Sequence, residues 1–232
     1  NNPVVSPFLN GATTSQSVSF GFGLATTGAN GTGELGSFVP GLGQQVDFFI
    51  ADRLQADLPA DDEALYILWA GSNDYFLPDA EPAQIVGNIQ TELESLYGIG
   101  ARDFLVVNLA DSGQIPEANN PNLTVSPEEL TTLSQTHNSL LASTVDELED
   151  TLVGSEITIL DANSLLDDVF AEPAAFGLTN VTEPFLDPQT FTPTVGADPD
   201  DFFFFDTLHP TAVGHQILSD FALETLGIEA DL

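Results

Sequence analysis

Two short motifs contain the residue types that acyl transfer needs. In the segment Asp206-Thr-Leu-His209-Pro, an aspartate lies three residues before a histidine. A carboxylate at that spacing can hold an imidazole in one tautomer, which allows the ring to act as a general base. In the segment Gly71-Ser-Asn73-Asp, an asparagine follows an apolar run, and its amide can donate a hydrogen bond to a developing oxyanion. Together the two motifs predict hydrolysis of a carboxylic ester.

The elements that must position these motifs alternate between strands and helices. The continuous apolar run at residues 64–70 is typical of a strand buried on both faces. Residues 103–108 predict the next buried strand, and residues 156–160 a further one. Apolar residues at helical spacing predict helices over the ranges 40–57, 84–97, 127–152 and 211–226. This alternation predicts an α/β fold with a mostly parallel sheet.

Three segments complete the predicted organisation. Residues 1–17 predict an extended lead-in, and residues 17–22 alternate in the manner of a short strand. Residues 171–205 are rich in Pro, Asp and Phe and predict a long loop excursion near the site. Within it, the run Phe202-Phe-Phe-Phe205 predicts either a buried strand or loop, or the lining of an acyl pocket. Because 42% of the 232 residues are hydrophobic, we expect one domain over residues 1–232.

The charge balance restricts the partners. The chain has 36 acidic residues against 2 basic ones, a formal net charge of -34. Such a field repels nucleic acid and favours divalent cations or high ionic strength, so we expect possible cation partners and no nucleic acid. We predict a secreted, extracellular protein, with an acidic cytosolic protein of a halophile as the alternative. No apolar stretch approaches the ~20 residues that cross a bilayer, so no membrane span is expected.

Four segments in order resemble sequence blocks of the SGNH, or GDSL-type, hydrolases, a family of esterases and lipases. Residues 20–28 are similar to the second block, Gly71-Ser-Asn73-Asp to the third, and Asp206-Thr-Leu-His209-Pro to the fifth. Residues 106–111 resemble the strand and loop that follow the third block. The resemblance implies a flavodoxin-like three-layer α/β/α sandwich and an acyl-enzyme mechanism on an ester substrate, with no metal site and no organic cofactor.

The resemblance also implies roles for individual residues. His209 is expected to be the general base and Asp206 to orient it, while Asn73 and the backbone N–H of Gly23 form the oxyanion hole. The second block usually ends Gly-Gly-Ala, whereas this chain reads Gly23-Leu24-Ala. Depending on register, the oxyanion glycine is therefore either retained as Gly23 or replaced by Leu24.

The nucleophile is the main departure from the family pattern. The family's serine lies in a Gly-Asp-Ser-Leu motif after the first strand, and this sequence contains no such motif; Ser72, Ser112 and Ser155 each lie in a different context. Because that strand belongs in the interior of the sheet, we expect an N-terminal peptide outside this sequence, or a neighbouring subunit, to supply strand and serine. The alternative is that residues 1–22 fill the gap in a catalytically inactive, extracellular structural or adhesive protein.

Other polar residues have structural interpretations. His137 and His215 lie within predicted helices and are expected to serve packing or capping. Asp74 is expected to bond locally and hold the loop that presents Asn73. Ser126 and Glu129 match a capping box at the start of the predicted helix 127–152. The acidic clusters of the chain have no ordered calcium-loop spacing and are interpreted as solvated charge.

Overall fold

The computed structural model describes residues 6–7, 17–28, 38–77 and 79–228. The chain divides into two compact units. Unit 1 comprises Asn1–Val106 and Leu140–Ile157, and unit 2 comprises Val107–Ser139 and Thr158–Leu232. The motif around Asn73 therefore belongs to unit 1, whereas the Asp206 motif belongs to unit 2.

The strands confirm the predicted α/β class with a mostly parallel sheet. Strands β3, β4 and β5 are adjacent in that order in one sheet, with the bounds Leu65–Leu68, Asp103–Val107 and Glu156–Leu160. β3 and β4 pair in parallel, with Leu65 opposite Asp103 and Leu68 opposite Val106. Two residues of the predicted strand at 17–22 form β2, Val18–Ser19, which pairs in parallel with β1, Ser6–Pro7. The rest of the predicted lead-in lies outside the described residues.

Two helices of unit 1 pack against each other, α1 (Leu42–Gln55) and α2 (Pro82–Gly98). α2 begins with proline at its first turn, where the missing N–H costs no hydrogen bond. Its apolar residues recur at helical spacing and are buried: Ile85, Ile89, Leu93 and Leu96. This buried stripe confirms the helix predicted over residues 84–97 and explains why it forms there, since tertiary packing supplies most of a helix's stability.

The two faces of β3 differ in their surroundings. On one face a series of aromatic rings runs from Phe49 of α1 to Tyr66 and on to Phe104, with centroid separations of 5.7 and 5.9 Å. The first pair is edge-to-face and the second is tilted. The alternate residues Leu65 and Ile67 are exposed. β3 is also the outermost strand of its sheet within the described ranges. An apolar face and an outer edge therefore coincide on one strand.

Unit 2 differs from the prediction for residues 171–205. This segment contains two short strands that pair in parallel, β6 (Asn180–Pro184) and β7 (Phe202–Phe204). All three Phe residues of β7 are buried, and only Phe205 of the aromatic run is exposed. Three of the four residues of the run thus form a buried strand, one of the two predicted arrangements, because burial removes their apolar side chains from water.

The helices of the second half of the chain are α3 (Pro127–Thr151), α4 (Ala162–Ala171) and α5 (Ala212–Thr225). The backbone N–H of Glu129 donates to the Ser126 hydroxyl at 3.2 Å, which confirms the predicted cap of α3. α4 was not expected from the sequence. It is short and begins directly after β5, where the Asp161 carboxylate accepts from the backbone N–H of Ser164.

Candidate active site

The structure of unit 2 brings Asp206 and His209 together in one tight loop. The His209 Nδ1 atom lies 2.9 Å from Asp206 Oδ2 and 3.0 Å from Oδ1. The same carboxylate accepts from the backbone N–H groups of Leu208 and His209, at 2.8 and 2.7 Å. Asp206 thus fixes both the ring and the backbone of the turn that presents it.

The surroundings of this pair keep the carboxylate charged. Partial burial alone raises the pKa of Asp206, but hydrogen bonds from Leu208 and from the ring and backbone of His209 outweigh it, so the pKa is lowered. The side chain of His209 remains 67% exposed. An ionised aspartate that accepts from Nδ1–H leaves Nε2 as the proton acceptor, and the exposed ring is open to a substrate.

Two neighbouring elements anchor the loop. The Phe205 N–H donates to the His209 carbonyl at 2.8 Å, which closes the turn at the end of β7. On the other side, the Thr211 N–H donates to the Phe203 carbonyl at 2.8 Å, and its hydroxyl caps α5 by accepting from the Gly214 N–H. A Cβ on Gly214 would lie 2.9 Å from the Phe203 carbonyl, so only glycine allows α5 to approach β7 this closely.

In unit 1 the third-block motif forms the 3₁₀ helix Ser72–Phe76, which follows β3 through Gly71 in a left-handed conformation with φ of 120°. The Asn73 Nδ2 atom donates to the Ala25 carbonyl at 2.8 Å. Asn73 and Ala25 also line an open cavity of about 110 Å³, together with Phe22 and Trp69. Because an amide nitrogen carries two hydrogens, this contact uses one N–H and leaves the second for another acceptor.

Asp74 ties the second block to the third, a contact that sequence reasoning did not identify. Its buried carboxylate accepts from the Thr27 backbone N–H at 3.0 Å and from the Thr27 hydroxyl at 2.7 Å. Burial raises the pKa of Asp74, and the Thr27 hydrogen bonds offset part of that rise. The prediction that Asp74 holds this loop is confirmed, although its partner lies 47 residues away rather than nearby.

The second block forms a turn whose geometry bears on the Gly23 or Leu24 question. The Ala25 N–H donates to the Phe22 carbonyl at 3.4 Å, so Gly23 and Leu24 are the central residues of a β-turn. Leu24 has φ of 68°, in the left-handed region that favours glycine, and its side chain is 45% exposed. The glycine-like position of the turn is therefore occupied by Leu24, and Gly23 precedes it.

The remaining histidines have the structural roles predicted for them. The His215 Nδ1–H donates to the Thr211 carbonyl at 2.8 Å within α5. His137 is buried in α3, and desolvation lowers its pKa to about 4. The His137 ring is thus enclosed by the fold, whereas His215 is exposed and its ring is engaged by the carbonyl of the N-cap residue of α5.

The three serines considered from the sequence lie in different places. Ser72 begins a 3₁₀ helix, Ser112 is buried, and the Ser155 hydroxyl donates to the Leu152 carbonyl at 2.7 Å. In the part of the chain that the structure describes, there is no group of three or more His, Asp or Glu residues that could hold a metal ion. Among the helices of the same part, none combines the length and apolar character that crossing a bilayer needs.

Comparison with known proteins places these features in a family. Residues 2–221 match the family model of the GDSL-like lipases/acylhydrolases. The chain is 28% identical to the esterase EstA of Pseudomonas aeruginosa over 200 residues, which cover 80% of this chain and 30% of EstA. It is 25% identical to GDSL esterase/lipase 4 of Arabidopsis thaliana, over 94% of this chain and 69% of the relative.

A further relative is a protein in the trpE-trpG intergenic region of Pseudomonas putida, described as uncharacterized. It is 29% identical over 216 residues, covering 83% of this chain and 33% of that protein. The chain thus spans about a third of the length of this relative and of EstA. Since the family model matches nearly all of the sequence, this chain belongs to the GDSL-like lipase/acylhydrolase family, as its four motifs predicted.

Proposed function

We propose that this chain is the scaffold of a serine carboxylesterase or lipase, in which His209 is the general base and Asp206 orients it. The observation that carries the proposal is the 2.9 Å contact between His209 Nδ1 and the Asp206 carboxylate, in a chain of an esterase and lipase family. The lowered pKa of Asp206 supports the role, because only the ionised carboxylate stabilises an imidazolium.

The proposed reaction proceeds through an acyl-enzyme. A serine oxygen attacks the carbonyl carbon of the ester, and His209 Nε2 takes the serine proton. The bond between the carbonyl carbon and the alcohol oxygen then breaks, and the proton passes from Nε2 to the leaving oxygen. Water then attacks the acyl carbon in the same way, which releases a carboxylic acid and restores the serine. These steps balance without an organic cofactor.

Asn73 is proposed as an oxyanion donor. The support is geometric: one N–H of its amide is held by the Ala25 carbonyl at 2.8 Å, which fixes the direction of the second N–H. A donor that is already oriented costs no reorganisation when the oxyanion forms. The backbone N–H of the 22–25 turn is the proposed second donor. The left-handed φ at Leu24 favours the register in which Leu24 occupies the position of the family's oxyanion glycine. In the other register that glycine would be retained as Gly23.

We place the nucleophilic serine outside this sequence, on a strand supplied by an N-terminal peptide or a neighbouring subunit. The support is β3, which is outermost in its sheet within the described ranges and exposes the apolar side chains of Leu65 and Ile67. Such an edge is a template for another strand, and the added backbone would pair with its free groups. The dense negative charge favours an extracellular setting rich in salt or divalent cations.

The test is covalent labelling of the native protein, purified with any companion peptide, by a fluorophosphonate probe. We expect one phosphonylated serine, located by mass spectrometry outside residues 1–232. His209→Ala should abolish labelling, and Asn73→Ala should slow ester turnover by about 10²–10³. His215→Gln, which changes a histidine that bonds within α5, is the matched control and should label normally. Labelling that persists in His209→Ala would refute the assignment of the base.

The alternative is an inactive extracellular scaffold on the same fold. It is favoured by one observation, the absence of a Gly-Asp-Ser-Leu motif from the sequence. Folded native protein that fails to react with the probe, and whose intact mass equals that of this chain alone, would support the scaffold. Concentration-dependent association in calcium would then point to an adhesive or structural role.

A further inference from the structure

We propose that Glu117 is a positioning residue for the Asp206–His209 pair, acting through Thr207. Glu117 lies in the 3₁₀ helix Pro116–Asn119 of unit 2, far from the motif in sequence. Its backbone N–H donates to the Thr207 carbonyl at 2.9 Å, and the Thr207 hydroxyl donates back to Glu117 Oε2. The two residues therefore hold each other by reciprocal hydrogen bonds across a separation of 90 positions.

The carboxylate of Glu117 is itself fixed in orientation. The Asn120 Nδ2 atom donates to Glu117 Oε1 at 2.6 Å, so each carboxylate oxygen has its own donor. Glu117 is partly buried, so water competes less with these hydrogen bonds. The 3₁₀ helix thus provides a rigid anchor rather than a side chain that moves with the loop.

Thr207 transmits this anchoring to the histidine because of where it lies in the turn. It directly follows Asp206, whose carboxylate accepts from the backbone N–H groups of Leu208 and His209. A shift of Thr207 would rotate the Asp206 backbone and carry the carboxylate away from His209 Nδ1. Because the His209 side chain is exposed, few other contacts restrain it. The bonds to Glu117 therefore help to hold Asp206 where its carboxylate selects the Nδ1–H tautomer.

The test reads the tautomer directly and does not depend on turnover. In the uniformly ¹⁵N-labelled protein at about pH 9, well above the ordinary histidine pKa of about 6.5, the ring nitrogen shifts report which nitrogen carries the proton. We expect His209 to be mainly the Nδ1–H tautomer. In Glu117→Ala, and in the nearly isosteric Thr207→Val, the loss of the side-chain bond should raise the share of the Nε2–H form. Thr207→Ser keeps the hydroxyl and should restore the Nδ1–H form.

Controls separate this role from a general loss of structure. Glu172→Ala removes the same charge from an exposed position of unit 2 and should leave the His209 tautomer unchanged. Thermal unfolding and the backbone amide spectrum identify any variant that fails to fold, and Thr207→Val keeps the test decisive if Glu117→Ala unfolds. A folded Thr207→Val with an unchanged tautomer would overturn the proposal.

The catalytic consequence rests on the proposed function and is measured separately. In the active native protein, Glu117→Ala should lower kcat by roughly 10–100-fold with little change in KM, because a misplaced base affects the chemical step. A changed tautomer without detectable esterase activity in the parent protein would refute the proposed function while leaving the positioning role intact. A lower kcat with an unchanged tautomer would instead refute the positioning role.

Discussion

The Asn73–Asp74 turn and the Asp206–His209 loop hold their functional side chains by opposite means. In unit 1 a buried carboxylate binds a threonine 47 residues away, and its pKa is raised by desolvation. In unit 2 a partly exposed carboxylate binds the backbone and ring of its own turn, and its hydrogen bonds lower its pKa. Asp74 thus acts as a structural tie, whereas Asp206 is kept ionised beside a solvent-exposed histidine.

The largest expected effect is the loss of ester turnover when the Asp206 carboxylate is removed. Asp206→Asn retains the shape of the side chain but no longer presents a carboxylate to Nδ1–H, so the ring loses its preferred tautomer and the stabilisation of its imidazolium. Turnover of a p-nitrophenyl ester by the active native protein should fall by about 10⁴. The control is Asp220→Asn, an exposed change on α5, which should leave turnover unchanged. Equal activities for the two variants would remove Asp206 from the mechanism.

For the buried carboxylate of Asp74, we expect substitution to reduce the stability of the fold. Asp74→Ala leaves the Thr27 N–H and hydroxyl without their acceptor in a buried site, so the free energy of unfolding should drop by about 2–3 kcal/mol in urea titrations. Thr27→Val removes the hydroxyl, which donates to Asp74 and accepts from Asn88 Nδ2 at 3.0 Å, and should cost about 1–2 kcal/mol. The exposed change Asp62→Ala serves as the reference for unit 1. If Asp74→Ala unfolds at the same urea concentration as Asp62→Ala, the tie is not structural.

The opposite pKa shifts predict opposite pH dependences. Asp74 has a folded pKa above its usual value of 3.8, so the folded state binds its proton more tightly, and stability relative to Asp74→Asn should rise as pH falls through that pKa. Asp206 has a folded pKa below 3.8, so its contribution is complete above 3.8 and is lost as pH falls towards the folded value. Urea unfolding of the parent protein, Asp74→Asn and Asp206→Asn between about pH 3 and 7 measures how each carboxyl's contribution to stability changes with pH. Changes of equal sign would contradict the opposite pKa shifts.

The same contrast explains which features were readable from the sequence. The Asp206–His209 pair was predicted because its interaction spans three residues and lies within one turn. The helices follow from periodic apolar positions and the strands from apolar runs. The expectation that residues 64–70 are buried on both faces is wrong, because Leu65 and Ile67 of β3 are exposed. In contrast, the Thr27–Asp74 tie and the pairing of Asn180 with Phe202 join residues that are distant in sequence, and no local pattern marks them. Residues 171–205 were therefore interpreted as a loop, since Pro and Asp obscure two short strands.

The smallest effect concerns the turn that supplies the Ala25 carbonyl to Asn73. Leu24 has a left-handed backbone, which costs a leucine about 1–2 kcal/mol, and its side chain is not buried. Glycine at this position would avoid that cost, but its unfolded state has more conformational freedom, which cancels part of the advantage. Leu24→Gly should therefore be more stable than Leu24→Ala by roughly 1 kcal/mol, measured by urea unfolding, because alanine retains the strained Cβ. Alanine and glycine variants of equal stability would show that the turn carries no strain at this position, and the assignment of the family glycine to Leu24 would lose its main support.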